Sequence, residues 1–155
     1  MAITQAMCTS FKQEVMLSMH NFHPTGSSAA STFKLALYSS GATLNASTTG
    51  FVTAGECVGT NYTTAGSALT VVGVTSGSTS GFVDFSDLTF LNVTLAADGA
   101  LIYNSTPFTS NNAGTTLTNA AVAVLDFGGS KSSTAGDFTI VFPAATSAAA
   151  IIRIA

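Results

Sequence analysis

Apolar residues recur with a period of two along most of this chain, and with a helical period only once. In Thr32–Tyr38, Phe33, Leu35 and Leu37 fall on one face and Lys34, Ala36 and Tyr38 on the other, the pattern of a half-buried strand. Ser67–Val74 is a β-branched run in which Gly73 marks a bulge, and a short strand is expected around Phe51 and Val52. Phe82–Phe85 and Leu88–Leu95 read as strands divided by Ser86-Asp87. Asp98-Gly99 reads as a hairpin turn into Ala100–Asn104. Ala120–Phe127 ends at Gly128-Gly129, Asp137–Phe142 ends at Pro143, and Ala149–Ala155 is a last strand. Ser39–Thr49, Thr75–Gly81 and Ser105–Asn119 have loop composition. Seven or eight short strands without a fixed repeat predict a sandwich or barrel rather than βαβ units.

The helical exception lies near the N-terminus. Phe11, Val15, Met19 and Phe22 follow one another at steps of four, four and three, one apolar stripe on a helix over about residues 11–21. Ser10 and Gln13 have capping-box spacing at its start, and Pro24 and Gly26 supply the stop. The stripe is expected to lie against a sheet.

At 155 residues, with no internal linker, the chain fits one domain spanning 1–155. A domain of that size buries roughly 68–70% of the surface of its unfolded chain. Charged residues make up only 7% of the chain while hydrophobic ones reach 46%, so Ser, Thr, Asn, Gly and Ala carry the surface. Soluble monomers keep more charge than this, and a weakly charged polar surface predicts that much of it is covered in an assembly. The four cations, Lys12, Lys34, Lys131 and Arg153, are scattered and the net charge is −3, which excludes the basic stripe needed to neutralise phosphates. Direct nucleic-acid contact is therefore not expected. Met1–Ser10 lacks the basic and apolar regions of a signal peptide, and no run approaches the ~20 apolar residues of a membrane span. Synthesis in a cytoplasm, no membrane partner, and free thiols at Cys8 and Cys57 are the expectations.

Few residues offer chemistry. His20 and His23 are three apart where the predicted helix ends, a spacing that would suit one metal given further ligands; their simpler role is to meet the free carbonyls and dipole at the helix C-terminus. Asp84 and Asp87, with Asp126 and Asp137 as partners, are candidates for paired carboxylates, and strand-end aspartates more commonly bond local amides. No nucleophile elbow, phosphate loop or dinucleotide fingerprint is present. Tyr38, Tyr62 and Tyr103 are the candidates for a sugar-binding patch, in a chain without Trp. No catalytic residue, cofactor or metal is expected.

Taken in order, the segments MAITQAMCTSFK (1–12), TFKLALYSSGATL (32–44), GALIYN (99–104), AVAVLDFGGSK (121–131) and the closing AAIIRIA resemble a family of small virion proteins, the head decoration or cement proteins of tailed bacteriophages. The resemblance implies a mainly β fold, a β-sandwich of jelly-roll type, with the amphipathic helix packed on it. It implies a position on the outer surface of the phage head, where such proteins bridge major capsid subunits against the pressure of packaged DNA. The expected partners are the major capsid protein and a second copy, with a homodimer favoured over a trimer. Contact with the shell is expected from the helix, at Met16, Met19 and Phe22. The bland alternative is that Met16 fills the helix–sheet core. The competing function is a receptor- or glycan-binding module of a phage fibre or tail, built on the same sandwich.

Overall fold

The computed structural model describes residues 2–23, 30–109 and 116–155. In chain order the elements are β1 (Ala6–Met7), α1 (Thr9–Met16), β2 (Phe33–Tyr38), β3 (Ser67–Ala68), β4 (Val71–Gly77) and β5 (Ser80–Phe85). They continue with β6 (Leu88–Asn104), β7 (Phe108–Thr109), β8 (Thr116–Leu117), β9 (Ala120–Ile140) and β10 (Ile152–Ile154). All strand pairs are antiparallel. A five-stranded sheet has the order β1-β9-β6-β2-β3, a three-stranded sheet the order β10-β5-β4, and β7-β8 form a separate ribbon. The two larger sheets share one core: Phe33 of β2 meets Phe85 of β5 with ring centroids 5.8 Å apart, and Phe85 meets Phe142 at 5.7 Å. The chain is thus mainly β with one short helix, as expected for a sandwich. The pairings do not establish a jelly-roll order. Among the described residues no helix is long and apolar enough to cross a membrane.

Two expected turns are bulges inside long strands. β6 runs unbroken through Asp98-Gly99, and β9 runs unbroken through Gly128-Gly129. Ala97 pairs with Lys131 and the next pair is Gly99 with Asp126, so four residues of β9 lie opposite a single residue of β6. Gly128 and Gly129 take positive φ within that excess segment, which is the glycine chemistry of a bulge as much as of a turn. Gly99 serves close approach instead: a Cβ there would run into the Leu125 carbonyl and lie 2.8 Å from the Ile3 side chain. Thr75–Gly81, expected as a loop, forms most of the β4–β5 hairpin, in which Gly77 pairs with Ser80 across Ser78-Thr79. The bulge expected at Gly73 is present as the register shift between Val72 and Thr75. In the third expected loop, β7 and β8 occupy the described parts, and residues 110–115 lie outside them.

β2 is buried on both faces, not one. Its second face is covered by residues 39–66, which were expected to hold a polar loop and a short strand. This segment makes only single bridges, Leu44 with Ile3, Gly50 with Ala120, Glu56 with Tyr38 and Thr60 with Thr94, and lies across the sheet as a lid. Ala42 and Leu44 enter the core, and Phe51 stacks on Tyr103 at 5.0 Å. The lid is fastened by hydroxyls: Tyr38 donates to the Val52 carbonyl at 2.6 Å and Tyr103 to that of Ala65 at 2.7 Å. Tyr62 accepts the Leu37 N–H at 2.9 Å and donates to Glu56, whose carboxylate also accepts the Ala65 N–H at 2.6 Å. Burial raises all three tyrosines above their usual range, Tyr103 to about 12. Committed in this way, they form no patch for stacking on a sugar.

The helix is shorter than its sequence pattern and begins earlier. Cys8, extended at φ −63° and ψ 140°, stands at the N-cap without a side-chain cap bond. Ser10 is therefore inside the first turn, not at the cap, and its Oγ is buried without a partner. The stop is at Ser18. Ser18 N–H bonds the Val15 carbonyl and Met19 N–H that of Glu14, with Ser18 at φ 58°, a Schellman closure made by serine where glycine is usual. The expected stop at Pro24 and Gly26 lies outside the described residues. An unpartnered buried hydroxyl costs about 1–3 kcal/mol. Ser10→Ala is accordingly expected to raise stability by about 1 kcal/mol in urea denaturation. An unchanged or lower midpoint would show that the hydroxyl is satisfied.

Candidate docking groove

α1 lies beside β10, and the space between them is incompletely filled. Two cavities, of about 220 and 360 Å³, share Phe11, Val15 and Ile154 in their walls. The first continues over the inner face of the three-stranded sheet along Val83 and Ile152, with Phe22 on its other side. The second opens along Met7, Lys12, Met16 and Arg153. Helical spacing explains one wall, since Phe11 and Val15 are four apart and point the same way. Strand alternation explains the other, with Ile152 and Ile154 on one face of β10 and Arg153 on the opposite one. Met16 is 79% exposed and Ile154 63%, so large apolar side chains stand at the lips of an apolar groove. A wider opening of about 500 Å³ along residues 43–52 has mainly loop backbone and small polar side chains for walls.

The three residues expected to make contact are separated by the early helix stop. Met16 is on α1 at the groove's lip. Met19 lies past the helix and is only 4% exposed, so it belongs to the core. Phe22 is half-buried and stacks face to face on Phe33 at 4.3 Å, lining the smaller cavity from beneath. Ile154, Val74 and Arg153 were missed. Ile154 and Arg153 lay within the strand expected over Ala149–Ala155, of which only Ile152–Ile154 is extended and paired, and nothing local shows that this strand borders α1.

Beneath the groove lies a buried polar cluster that sequence reasoning did not assemble. Glu14 faces inward from α1, and its Oε2 is 2.7 Å from His20 Nε2. Asn104 of β6 accepts the Thr106 N–H with Oδ1 at 3.0 Å. That bond turns the Asn104 NH₂ toward His20 Nδ1, 3.1 Å away. Nδ1 is then an acceptor and Nε2–H the donor to Glu14, so the imidazole is neutral. Burial among Phe11, Phe22 and Phe33 lowers the His20 pKa, against the opposing pull of the Glu14 hydrogen bond and charge. His20 is thus not a helix-end residue bonded to free carbonyls, and both its nitrogens are engaged, which leaves none for a metal shared with His23.

The remaining candidates are structural in their contacts. Asp84 Oδ1 accepts the Phe85 N–H and Oδ2 that of Ile151, which anchors the chain entering β10. Asp87 accepts from Phe142, Asp126 from Gly128 and Asp137 from Asn92. Every aspartate considered as a paired carboxylate thus holds a main-chain amide. Cys8 and Cys57 are free and buried. Burial first, then the Glu14 charge, pushes the Cys8 thiol up to about 11. Burial, then Asp98 and Glu56, pushes Cys57 to about 12. Both are protonated at neutral pH and lack the thiolate a nucleophile needs. Among the described residues no group of three or more His, Cys, Asp or Glu is placed to hold a metal ion.

Compared with protein-family models, curated proteins and solved structures, the chain matches none.

Proposed function

We propose that this chain is a structural protein of a bacteriophage virion that decorates the outside of the head, bridges major capsid subunits and stabilises the DNA-filled shell. The observation that carries the reading is the apolar groove beside α1, with Met16 and Ile154 standing exposed on a surface that has little charge to repel a partner. Exposed apolar side chains gathered at one groove mark an interaction site rather than ordinary surface. The resemblance of segments along the whole chain to head decoration proteins supports the same reading. The partners are the major capsid protein and a second copy, a homodimer that gains avidity when both of its members engage the shell.

The test uses particles from infected cells. Deleting the gene, or introducing Met16→Asp, is expected to give heads that lack the protein and rupture earlier on heating or osmotic shock. Met16 is 79% exposed, so the variant should fold normally, with an unfolding free energy within about 0.5 kcal/mol of the parent. Particles that lack the protein, withstand both stresses unchanged and fail to adsorb to cells would overturn the cement role in favour of receptor or glycan binding.

A further inference from the structure

We propose that the groove between α1 and β10 receives an extended polypeptide segment of alternating apolar and acidic residues, which adds to the free edge of β10 as a further strand. The inference goes beyond the capsid reading and does not require the partner to be a capsid protein.

The first support is the open edge. β10 pairs with β5 and stands at the margin of the three-stranded sheet. Among the described residues no main-chain hydrogen bond joins 152–154 to anything but β5. An unpaired edge presents N–H and C=O groups at strand spacing, which another backbone matches and a lipid or small apolar molecule does not. The second support is shape. Ile154 borders both cavities, so an added strand would find apolar space beside it for its own apolar side chains.

The third support is charge, and it selects the partner. Lys12 and Arg153, two of the four cations in the chain, line the larger cavity. Both are exposed. Among the described residues neither has a carboxylate within ion-pair distance, the one such pair being His20 with Glu14. Arg153 spends one guanidinium N–H on the Ser147 carbonyl at 3.1 Å, and the rest of that fork suits a carboxylate. The same charge disfavours a second copy at this edge. Antiparallel pairing of β10 with itself would bring Arg153 near Arg153, with no acidic side chain on either strand.

The experiment uses the whole chain and two fluorescein-labelled, amidated hexapeptides, one alternating Glu with Ile and one alternating Lys with Ile. Fluorescence anisotropy is expected to show the Glu peptide binding at least about tenfold tighter, with an affinity that weakens as salt is raised. Amide shifts on titration should centre on Ile152–Ile154 and α1. Lys12→Glu with Arg153→Glu should reverse the preference between the peptides by about tenfold or more, a fold-change of about 1.4 kcal/mol. Both substituted positions are exposed, and an unchanged amide spectrum outside the groove confirms folding. Binding by neither peptide, equal binding by both, or shifts centred elsewhere overturns the inference. So does a dimer that Arg153→Glu dissociates and the Glu peptide cannot displace, since the groove would then belong to a second copy. Because occupancy on particles is measured separately, failure here leaves the capsid reading standing, and the reverse also holds.

Discussion

Replacing Gly66 by alanine is expected to cost the fold about 4 kcal/mol or more, a large share of a typical domain's stability. Gly66 has φ +67°, where a Cβ alone costs roughly 1–2 kcal/mol. The larger part is steric: the added atom would run into the Leu35 carbonyl oxygen and lie 2.7 Å from the Ala36 Cα, both main-chain atoms of a central strand. The lid cannot swing away cheaply. Gly66 N–H bonds the Thr63 carbonyl, Ala65 N–H bonds Glu56, and Tyr103 bonds the Ala65 carbonyl. Moving it would expose Ala42 and Leu44 and leave buried donors unmatched, each at about 1–3 kcal/mol. Gly128→Ala is the control. Its φ is +66°, but nothing lies within 4 Å of the added Cβ, so only the backbone term remains. Urea denaturation of the two variants separates strain from clash. A Gly66→Ala loss no greater than that of Gly128→Ala would mean the lid is not held as described.

How far such features are legible in the sequence depends on where their cause lies. β2 was found almost to the residue because its alternation is local, as was the bulge at Gly73. The lid over its second face was not, since Ala42 and Leu44 sit in a segment whose composition is that of a loop. Only the presence of a sheet face to cover explains their burial. Asp98-Gly99 and Gly128-Gly129 carry turn chemistry, and a bulge uses the same positive-φ residues and tight approaches as a turn. What distinguishes them is the partner strand, which is remote in sequence. The helix was located by its stripe but extended five residues too far, because Ser18 takes a left-handed conformation that its side chain does not announce. Within the groove, Met16 was legible as an apolar residue beside the stripe. Lys12 and Arg153 were legible only as scattered cations, and they meet because β10 folds back to α1. Glu14 and His20 are six residues apart, but nothing local shows that they meet across the early helix stop, and Asn104, 84 residues from His20, joins them only through the sheet.

That cluster makes the fold sensitive to acid, and the sign follows from its geometry. The folded state holds His20 neutral, with a pKa lowered below the ordinary 6.5 chiefly by burial. The unfolded chain then binds the proton more readily. The stability His20 contributes is complete above about pH 6.5 and is lost as pH falls from there through the lowered folded value. Protonation would set Nδ1–H against the Asn104 NH₂, donor against donor, while Thr106 prevents the amide from turning. Asn104→Leu removes the conflict and its benefit together. At neutral pH it should cost about 2–4 kcal/mol, because the Thr106 N–H and His20 Nδ1 both lose their partner. Toward about pH 5, where an unperturbed histidine is charged, the gap from wild type should narrow, since the variant no longer opposes protonation of Nδ1. Urea denaturation at the two pH values, with an NMR titration of His20, measures both effects. A gap of constant size would show that Asn104 does not set the protonation state of His20. The consequence reaches the surface through Phe22, two residues from His20 and stacked on Phe33 in the wall of the smaller cavity. Loosening residues 18–23 in acid removes that wall, so binding at the groove is expected to weaken over the same pH range in which His20 takes up its proton.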